Sequence, residues 1–336
     1  MKICIWFNTI DGPWGGGNQF LRALSKQLVS LGHSVTNQLD GSADVVLINS
    51  HNRGANQFLN PSLVAQLRHQ GNVTWWGRAV PKNFWLNLRR KGPPIIHRLD
   101  GVAVLIRGVR SRADELQIAI NPLSDYTIFQ SVYSQESFSQ FGVKPEKAKI
   151  VYNGVDGGIF YPNPQKQNDL SSKKIRLVAV SWSSNLRKGF STLAAVSRIS
   201  IVELRFIGHW PSEIIPENVI LLGPKPSEQV AEILRQSNAM IHAAENEPCS
   251  NAIIEALACG LPVLYRDSGG NRELAREYGI ALTDELEDNL SELMVHYYDL
   301  RDKLRQDHSK FLIDYVVKAY LAAFEEAMQM VGKRGK

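Results

Sequence analysis

The stretch from residue 238 to residue 273 constrains the fold most, because it has the pattern of strand, turn, helix, strand and turn in unbroken succession. The apolar run 238–243 predicts a buried strand, and 251–259 predicts a helix that Gly260 and Pro262 end. A helix between two buried strands is typical of a parallel sheet. Ligands bind beyond the carboxyl ends of the strands in such sheets, so the turns at 245–250 and 267–270 predict a binding site.

Two glutamates carry the chemistry predicted for this stretch. Glu247 lies in the first turn, where its carboxylate can accept hydrogen bonds from sugar hydroxyls, and Glu255 lies one turn into the helix, where it can hold a vicinal diol such as a ribose. Ser250 is the predicted N-cap. The amides predicted to form an anion site at the helix start are those of Asn251, Ala252 and Ile253. The alternative is a solvated Glu255, because two glutamates at this spacing are common.

This stretch resembles the signature of retaining, nucleotide-sugar-dependent glycosyltransferases of the GT-B fold, the large family four. There the pattern ExxxxxxxE, followed by EAxAxGxPV, marks the donor pocket. The matching residues here are Glu247, Glu255, Ala256, Ala258, Gly260, Pro262 and Val263. The resemblance implies an α/β fold of two Rossmann-like βαβ domains facing an interdomain cleft. It also implies retaining transfer without a metal ion, with the NDP-sugar held mainly by the C-terminal domain.

The length of 336 residues and the 44% hydrophobic content predict two domains. We expect an N-terminal acceptor-side domain at 1–160 and a nucleotide-sugar-binding domain at 161–307. The resemblance implies that a terminal helix at about 308–330 packs back onto the first domain. Three cysteines without metal-type spacing argue against a disulfide framework, and no apolar run is long enough to span a bilayer. We therefore expect a cytoplasmic protein, with the inner face of the membrane as an alternative location.

The beginning of the chain has the pattern of strand, glycine loop and helix. The glycines at 15–17 lack side chains, so backbone amides there can approach a phosphate closely, and the following helix adds its partial positive charge. Gly16 and Gly17 are therefore candidate donor-binding residues, and the spacing is not that of a dinucleotide fingerprint. A tight turn without a ligand is the alternative.

A polar turn from 182 to 189 precedes the first helix of the second domain. Lys188 can reach a diphosphate from there. The glycosyltransferases that the chain resembles carry an Arg five or six residues ahead of a Lys-Gly pair, but Trp182 and Ser183 stand at that place. Arg187 is the nearest replacement, so two-cation binding of the diphosphate stays open. The alternative is a solvated pair of basic residues.

A strand at 95–101 delivers His97 and Asp100 to the carboxyl edge of the N-terminal sheet. In many proteins of the resembled family a histidine at this strand end lies beside the transferred sugar, which makes His97 a catalytic candidate together with Lys188 and Glu247. The alternative is a structural hydrogen bond, the commoner role of a lone histidine.

Positive charge is concentrated in the N-terminal half, where residues 1–160 hold 17 Lys and Arg against 10 Asp and Glu. An anionic or membrane-borne acceptor is expected to meet this surface. The candidate contacts are Trp85, Arg89, Arg90 and Lys91. A solvated loop is the alternative.

Taken together, the residues and the resemblance imply a retaining glycosyltransferase of polysaccharide or glycoconjugate biosynthesis, acting on an NDP-sugar and a sugar or lipid-linked acceptor. The resemblance implies no cofactor and no bound metal, and the sequence agrees, since it lacks an Asp-x-Asp motif and a His/Cys cluster. Nucleic acid is not an expected partner. Two alternatives stay open: an NDP-sugar epimerase of the same fold, and a noncatalytic basic protein that binds membranes or nucleic acid.

Overall fold

The computed structural model describes residues 1–12, 15–39, 41–54, 57–70, 92–162 and 174–334. The chain divides into two compact units. The first consists of Met1–Ile10, Gly17–Tyr152 and Val316–Lys336, and the second of Asp11–Gly16 and Asn153–Tyr315. The division after Tyr152 falls eight residues before the boundary expected at 160.

The first unit is built on a parallel sheet of six strands in the order β2-β1-β3-β4-β5-β6. The strands are β1 Lys2–Ile5, β2 Ser34–Thr36, β3 Val45–Asn49, β4 Ile95–Arg98, β5 Tyr126–Phe129 and β6 Ala148–Ile150. The helices are α1 Gly16–Ser30, α2 Pro61–Gln70, α3 Ala103–Arg107, α4 Arg112–Ile120 and α5 Val132–Gln140. Every residue of β3 and β4 is buried, as expected for strands covered on both faces.

The apolar side chains of α1 form a buried stripe that ends before Leu31. Phe20, Leu21, Leu24 and Leu28 are buried, whereas Leu31 is 49% exposed. The reason is that α1 ends at Ser30, and the chain then turns through Gly32 at φ 84°. Glycine adopts this left-handed conformation without the clash that a Cβ atom causes.

The second unit contains another six-stranded parallel sheet, in the order β12-β11-β10-β7-β8-β9. Its strands are β7 Ile175–Ser181, β8 Val202–Gly208, β9 Val219–Gly223, β10 Ala239–His242, β11 Val263–Arg266 and β12 Gly279–Leu282. Its helices are α6 Phe190–Val196, α7 Ser227–Gln236, α8 Asn251–Ala258, α9 Asn271–Ala275 and α10 Leu286–Asp307. Two separate clusters of buried apolar side chains include residues of this sheet. The last helix, α11 Ile313–Arg334, groups with the first unit from Val316 onward.

Several local predictions need correction. The strand expected at 95–101 ends at Arg98, and the sequence pattern did not indicate α3 or β12. At the start of α9, the Nδ2 atom of Asn271 donates to the carbonyl oxygens of Ala244 and Arg266, at 2.8 and 3.2 Å. The strand predicted at 72–76 lies outside the described residues.

Candidate functional site

The candidate site of the second unit lies where three neighbouring strands end. Sheet order places β10 between β7 and β11, so the loops that follow these strands meet at one edge. Lys188 comes from the loop after β7, and Glu247 comes from the loop after β10. The sequence predicted this edge as the ligand site of a parallel sheet.

Lys188 and Glu247 are brought together as an ion pair. The Nζ atom of Lys188 donates a hydrogen bond to Oε1 of Glu247, and both side chains are largely but not fully buried. Lys188 ends a single 3-10 turn, Leu186–Lys188, and the side chain of Asn185 caps this turn through the amide of Arg187 at 2.9 Å. The site therefore holds a cation and a carboxylate side by side, each partly open to a ligand.

Backbone contacts fix the loop of Lys188 against the loop of Glu247. The amide of Glu245 donates to the carbonyl oxygen of Arg187 at 2.9 Å. Gly189 has φ 79°, and a Cβ atom there would lie 2.2 Å from the carbonyl oxygen of Ala243. Only glycine allows this approach, which explains the Lys-Gly pair in the sequence.

The loop after β11 holds the Glu247 loop from the other side. Gly269 has φ 63°, and a Cβ atom there would lie 2.6 Å from the carbonyl oxygen of Glu247. The amide of Gly270 donates to that same oxygen at 2.7 Å. The position of Glu247 therefore depends on two glycines that lie 22 and 23 residues later in the chain.

Glu255 lies in α8, half-buried, with protein atoms crowded around its carboxyl group. This burial raises the pKa of Glu255 to about 8. Within the described part of the chain, its carboxyl group has no hydrogen-bond or ion-pair partner. A carboxyl group that protein atoms surround but that no described residue pairs is suited to bind hydroxyl groups of a ligand.

The start of α8 has the predicted cap, with one correction to the predicted anion site. The Oγ atom of Ser250 accepts from the amide of Ile253 at 3.4 Å, so this amide is already engaged. The amides of Asn251 and Ala252, in the first turn of α8, are the two other members of the predicted anion site. The side chain of Asn251 accepts from Nδ2 of Asn153 at 2.7 Å.

The two glycines predicted to bind the donor fall in different units. The segment Asp11–Gly16 groups with the second unit. There the carbonyl oxygen of Gly16 accepts from Nδ2 of Asn251 at 2.6 Å. Gly17 groups with the first unit, and a Cβ atom there would lie 3.8 Å from Nδ2 of Asn49.

His242 is a component of the site that sequence reasoning missed. It ends β10 and is buried, which lowers its pKa to about 4, with Glu247 opposing this shift and Lys188 adding to it. In the described chain its Nε2 atom is buried without a hydrogen-bond partner. The sequence feature that could have identified His242 is its position at the end of a predicted buried strand, five residues before Glu247.

In the first unit, His97 is fully buried, and its burial lowers its pKa to about 4. Its Nε2 atom lies 2.8 Å from the carbonyl oxygen of Ser50, to which it donates. Its Nδ1 atom lies 3.4 Å from Nδ2 of Asn121. A direct contact between His97 and a sugar would require one of these bonds to break, so its catalytic role stays a prediction.

The predicted acceptor-side contacts cannot be placed, since Trp85, Arg89, Arg90 and Lys91 lie outside the described residues. Among the residues that the structure describes, no group of three or more His, Cys, Asp or Glu side chains is placed to hold a metal ion. No helix in the same residues has the length and apolarity that crossing a membrane requires.

The fold is that of GT-B glycosyltransferases, as predicted. Sucrose-phosphate synthase from Thermosynechococcus elongatus superposes with a TM-score of 0.68 at 15% identity, over 98% of this chain and 99% of that one. Anabaena HepE, in a complex with UDP and glucose, superposes with a TM-score of 0.58 at 18% identity, over 99% of each chain.

Sequence comparison agrees with the resemblance at the level of the family. Residues 209–310 match the family Glycosyl transferases group 1, which confirms the similarity to glycosyltransferases predicted from the motif. The chain is 25% identical over 187 residues to the gpi3 subunit of phosphatidylinositol N-acetylglucosaminyltransferase of Schizosaccharomyces pombe, covering 50% of this chain and 40% of that protein. It is 30% identical over 157 residues to a subunit of the Homo sapiens enzyme of the same name, covering 42% of this chain and 31% of that protein. It thus spans less than half the length of these two relatives.

A third relative matches over a longer range. The D-inositol 3-phosphate glycosyltransferase of Gordonia bronchialis is 22% identical over 296 residues, which is 74% of this chain and 64% of that protein.

Proposed function

We propose that the chain is a retaining glycosyltransferase that moves a sugar from an NDP-sugar to an acceptor without a bound metal ion. The observation that carries this proposal is the placement of Lys188, Glu247 and Glu255 around the end of β10 in the second unit. Lys188 supplies a cation, Glu247 a hydroxyl acceptor, and Glu255 a buried carboxyl group with a raised pKa. The complex of HepE with UDP and glucose supports a nucleotide-sugar donor.

The diphosphate is assigned to Lys188 and to the start of α8. An ammonium group and free helix amides stabilise the negative charge that develops on a leaving diphosphate. Arg187 adjoins Lys188 in the same 3-10 turn and is the second candidate cation. The amides of Asn251 and Ala252 are the groups at the start of α8 that bind the diphosphate.

The hydroxyl groups of the donor are assigned to the two glutamates. Glu247 orients the hydroxyls of the transferred sugar, and its charge is balanced by Lys188 before the donor arrives. Glu255 holds the two ribose hydroxyls. With a pKa of about 8, its carboxyl group is mostly protonated at pH 7, so it can both donate to one hydroxyl and accept from the other.

The acceptor is proposed to be a sugar or lipid-linked molecule of polysaccharide or glycoconjugate biosynthesis. The names of three relatives point this way, since two contain phosphatidylinositol and the third contains inositol 3-phosphate. Each of these names refers to a phosphate derivative of inositol, which is a hydroxylated six-membered ring.

A thermal-shift screen of NDP-sugars, with UDP-sugars, GDP-sugars and ADP-sugars in separate wells, tests the donor. A ligand that binds the folded state at about 100 times its Kd adds about 2.7 kcal/mol to the free energy of unfolding. We expect one base to raise the Tm clearly more than the others, with and without EDTA. If no nucleotide raises the Tm, the proposal fails, and a shift that EDTA removes contradicts metal independence.

Product analysis with the donor alone separates transfer from epimerisation. A transferase gives a glycoside only when an acceptor is present, whereas an epimerase changes the NDP-sugar in its absence. Incubation of the best-binding NDP-sugar with the protein, followed by chromatography of the sugar, is therefore the decisive second step. A new NDP-sugar without any acceptor would favour the epimerase.

We also propose that the basic N-terminal half contacts anionic membranes at the inner face of the cytoplasmic membrane. This rests on the sequence alone, because Trp85, Arg89, Arg90 and Lys91 lie outside the described residues. Each cation near an anionic bilayer contributes about 1 kcal/mol, and aromatic side chains enter the headgroup region. Wild type is expected to sediment with anionic liposomes in a salt-sensitive way, and charge reversal of Arg89, Arg90 and Lys91 is expected to release it. Indifference of the wild type to anionic lipid removes this part of the proposal.

A further inference from the structure

The loop after β3 in the first unit places an imidazole beside an aromatic ring. The rings of His51 and Phe58 are stacked, with centroids 5.7 Å apart and an interplanar angle of 22°. An antiparallel bridge between Asn52 and Phe58 joins the two arms of this loop, so the backbone fixes the pair. Phe58 is 55% exposed, which is unusual for a phenylalanine held by such contacts.

Ser50 fixes the orientation of the His51 ring. Ser50 has φ 57°, in the left-handed region that residues with side chains rarely adopt. Three contacts hold it there: its amide donates to the carbonyl oxygen of Arg98 at 2.7 Å, its carbonyl oxygen accepts from His97, and its Oγ atom lies 2.8 Å from Nδ1 of His51. A strained residue held from three sides at a strand end is typical of a site that positions a functional group.

The Nε2 atom of His51 is left for a ligand. His51 is half-buried, and within the described ranges its Nε2 atom has no hydrogen-bond partner. Burial lowers the pKa of His51, Asp100 and Asp114 oppose this shift, and Arg107 adds to it. Nearby His97 is neutral at pH 7 because its pKa is about 4.

Asp100 adds an exposed carboxylate at the end of the neighbouring strand β4. Its Oδ1 atom accepts from Nε2 of Gln130 at 3.0 Å, and its amide donates to Oε1 of Gln117 at 2.9 Å. One contact therefore orients the carboxylate and the other fixes the backbone of Asp100, while the residue stays open to solvent. β3 and β4 are adjacent and parallel, so the loops that follow them emerge at the same edge of the sheet.

We propose that His51, Phe58 and Asp100 form a subsite for a hydroxylated six-membered ring, either a sugar or a cyclitol. The apolar face of such a ring packs on an exposed aromatic side chain, and its hydroxyls need fixed polar partners around the rim. Phe58 supplies the face, Nε2 of His51 one polar partner, and the carboxylate of Asp100 the other. The assignment of this ring to the acceptor rests on the proposed transferase function, whereas the subsite itself does not.

Saturation-transfer NMR with myo-inositol and with methyl α-D-glucopyranoside tests the subsite directly. Wild type is expected to bind at least one of them. Phe58→Ala and His51→Ala are expected to weaken binding about five- to tenfold, as the loss of one polar or packing contact does. His51→Gln, which keeps a hydrogen-bonding side chain, is expected to recover part of the loss, and Phe58→Leu, which keeps bulk without an aromatic face, is not.

Phe141→Ala is the matched control. Phe141 is another exposed phenylalanine of the first unit, 39% exposed, but it follows the end of α5 and so lies toward the amino edge of the sheet. Its replacement is expected to leave ring binding unchanged. Equal binding by wild type, Phe58→Ala and His51→Ala overturns the proposal, as does absence of binding by the wild type to both ring compounds.

The nucleotide thermal shift of the same preparations keeps the two proposals apart. If nucleotides bind and the two ring compounds do not, the subsite is wrong and the transferase proposal stands. If the ring compounds bind through Phe58 and His51 and no nucleotide binds, the subsite stands and the transferase proposal fails. The Tm of each variant without ligand, measured in the same experiment, shows whether the variant is folded.

Discussion

The ammonium group of Lys188 contacts the carboxylate of Glu247, which joins the loop after β7 to the loop after β10. Removing one member of a partly buried ion pair leaves the other charge uncompensated. The pair is therefore expected to act as a unit: before the donor binds, each charge balances the other, and afterwards Lys188 is shared with the diphosphate. Replacing Lys188 and replacing Glu247 are expected to have different effects, because only Lys188 carries a charge opposite to that of the leaving diphosphate.

Lys188→Ala is expected to lower kcat strongly. Loss of a main charge partner of the diphosphate costs about 2 to 4 kcal/mol of transition-state stabilisation, which is about 30- to 1,000-fold in rate. Steady-state kinetics with the donor found by the thermal-shift screen gives the measurement. Arg198→Ala is the control, since Arg198 lies in the same unit in an exposed ion pair with Glu217. A loss of less than tenfold for Lys188→Ala contradicts the assignment.

The two glutamates are expected to separate binding from turnover. Glu255→Ala removes the proposed ribose contact, so it should weaken free NDP and NDP-sugar alike. Glu247→Ala removes a contact with the transferred sugar and leaves Lys188 to the diphosphate alone, so free NDP should bind no more weakly than in wild type while kcat falls. Isothermal titration with NDP, alongside kinetics, compares the two. Equal NDP affinity in wild type and Glu255→Ala removes the ribose assignment.

Burial of Glu255 predicts a pH dependence of stability. Its pKa is about 8 in the folded chain against an ordinary value of 4.5, so the folded state binds one more proton between these values. The contribution of Glu255 is therefore fully present below about pH 4.5 and is lost as pH rises through 8, with a slope of up to about 1.4 kcal/mol per pH unit. Chemical denaturation at pH 5, 6.5 and 8 should show wild type losing stability relative to Glu255→Gln. A difference between the two that does not vary with pH contradicts the burial of a neutral carboxyl group.

Burial of His97 predicts a pH dependence of stability that is opposite in sign to that of Glu255. Its pKa is about 4 in the folded chain against 6.5 ordinarily, so the unfolded state binds more protons between these values. The stabilisation is present above about pH 6.5 and is lost as pH falls toward 4. His97→Gln should reduce the fall in Tm between pH 7 and pH 5, whereas His296→Gln, at an exposed position of α10, should not. An unchanged fall in His97→Gln argues against a buried neutral ring.

The features of the candidate site that the sequence predicted are those that depend on residues close together in the chain. The strand and helix positions around Glu247, the Ser250 cap and the Lys-Gly turn follow from periodicity and capping chemistry within a few residues. The Lys188–Glu247 pair joins residues 59 positions apart, so no local pattern specifies it. The same holds for His51, whose orientation depends on contacts between β3 and β4. His97 was predicted as a polar residue near a strand end, and it lies one residue before the end of β4. Its two hydrogen-bond partners are Ser50 and Asn121, which sequence reasoning cannot place beside it.

The close approach of Gly269 to the Glu247 loop leads to the last prediction. Gly269→Ala introduces a Cβ atom 2.6 Å from the carbonyl oxygen of Glu247, closer than nonbonded atoms can lie, so the loop that carries Glu247 must shift. A displacement of about 1 Å at a positioned group can lower turnover about a hundredfold.

Gly142→Ala is the control that separates this clash from backbone strain. Gly142 has φ 82°, similar to φ 63° at Gly269, but none of the residues that the structure describes would lie within 4 Å of a Cβ atom there. Both substitutions force alanine into the left-handed region, at about 1 to 2 kcal/mol each, and Gly269→Ala adds the clash, so Gly269→Ala should lower the Tm by at least as much as Gly142→Ala. Only Gly269→Ala should also lower kcat with the NDP-sugar. Equal kcat values in the two variants would contradict this prediction. They would mean that the displacement of the Glu247 loop by the added Cβ atom does not affect turnover.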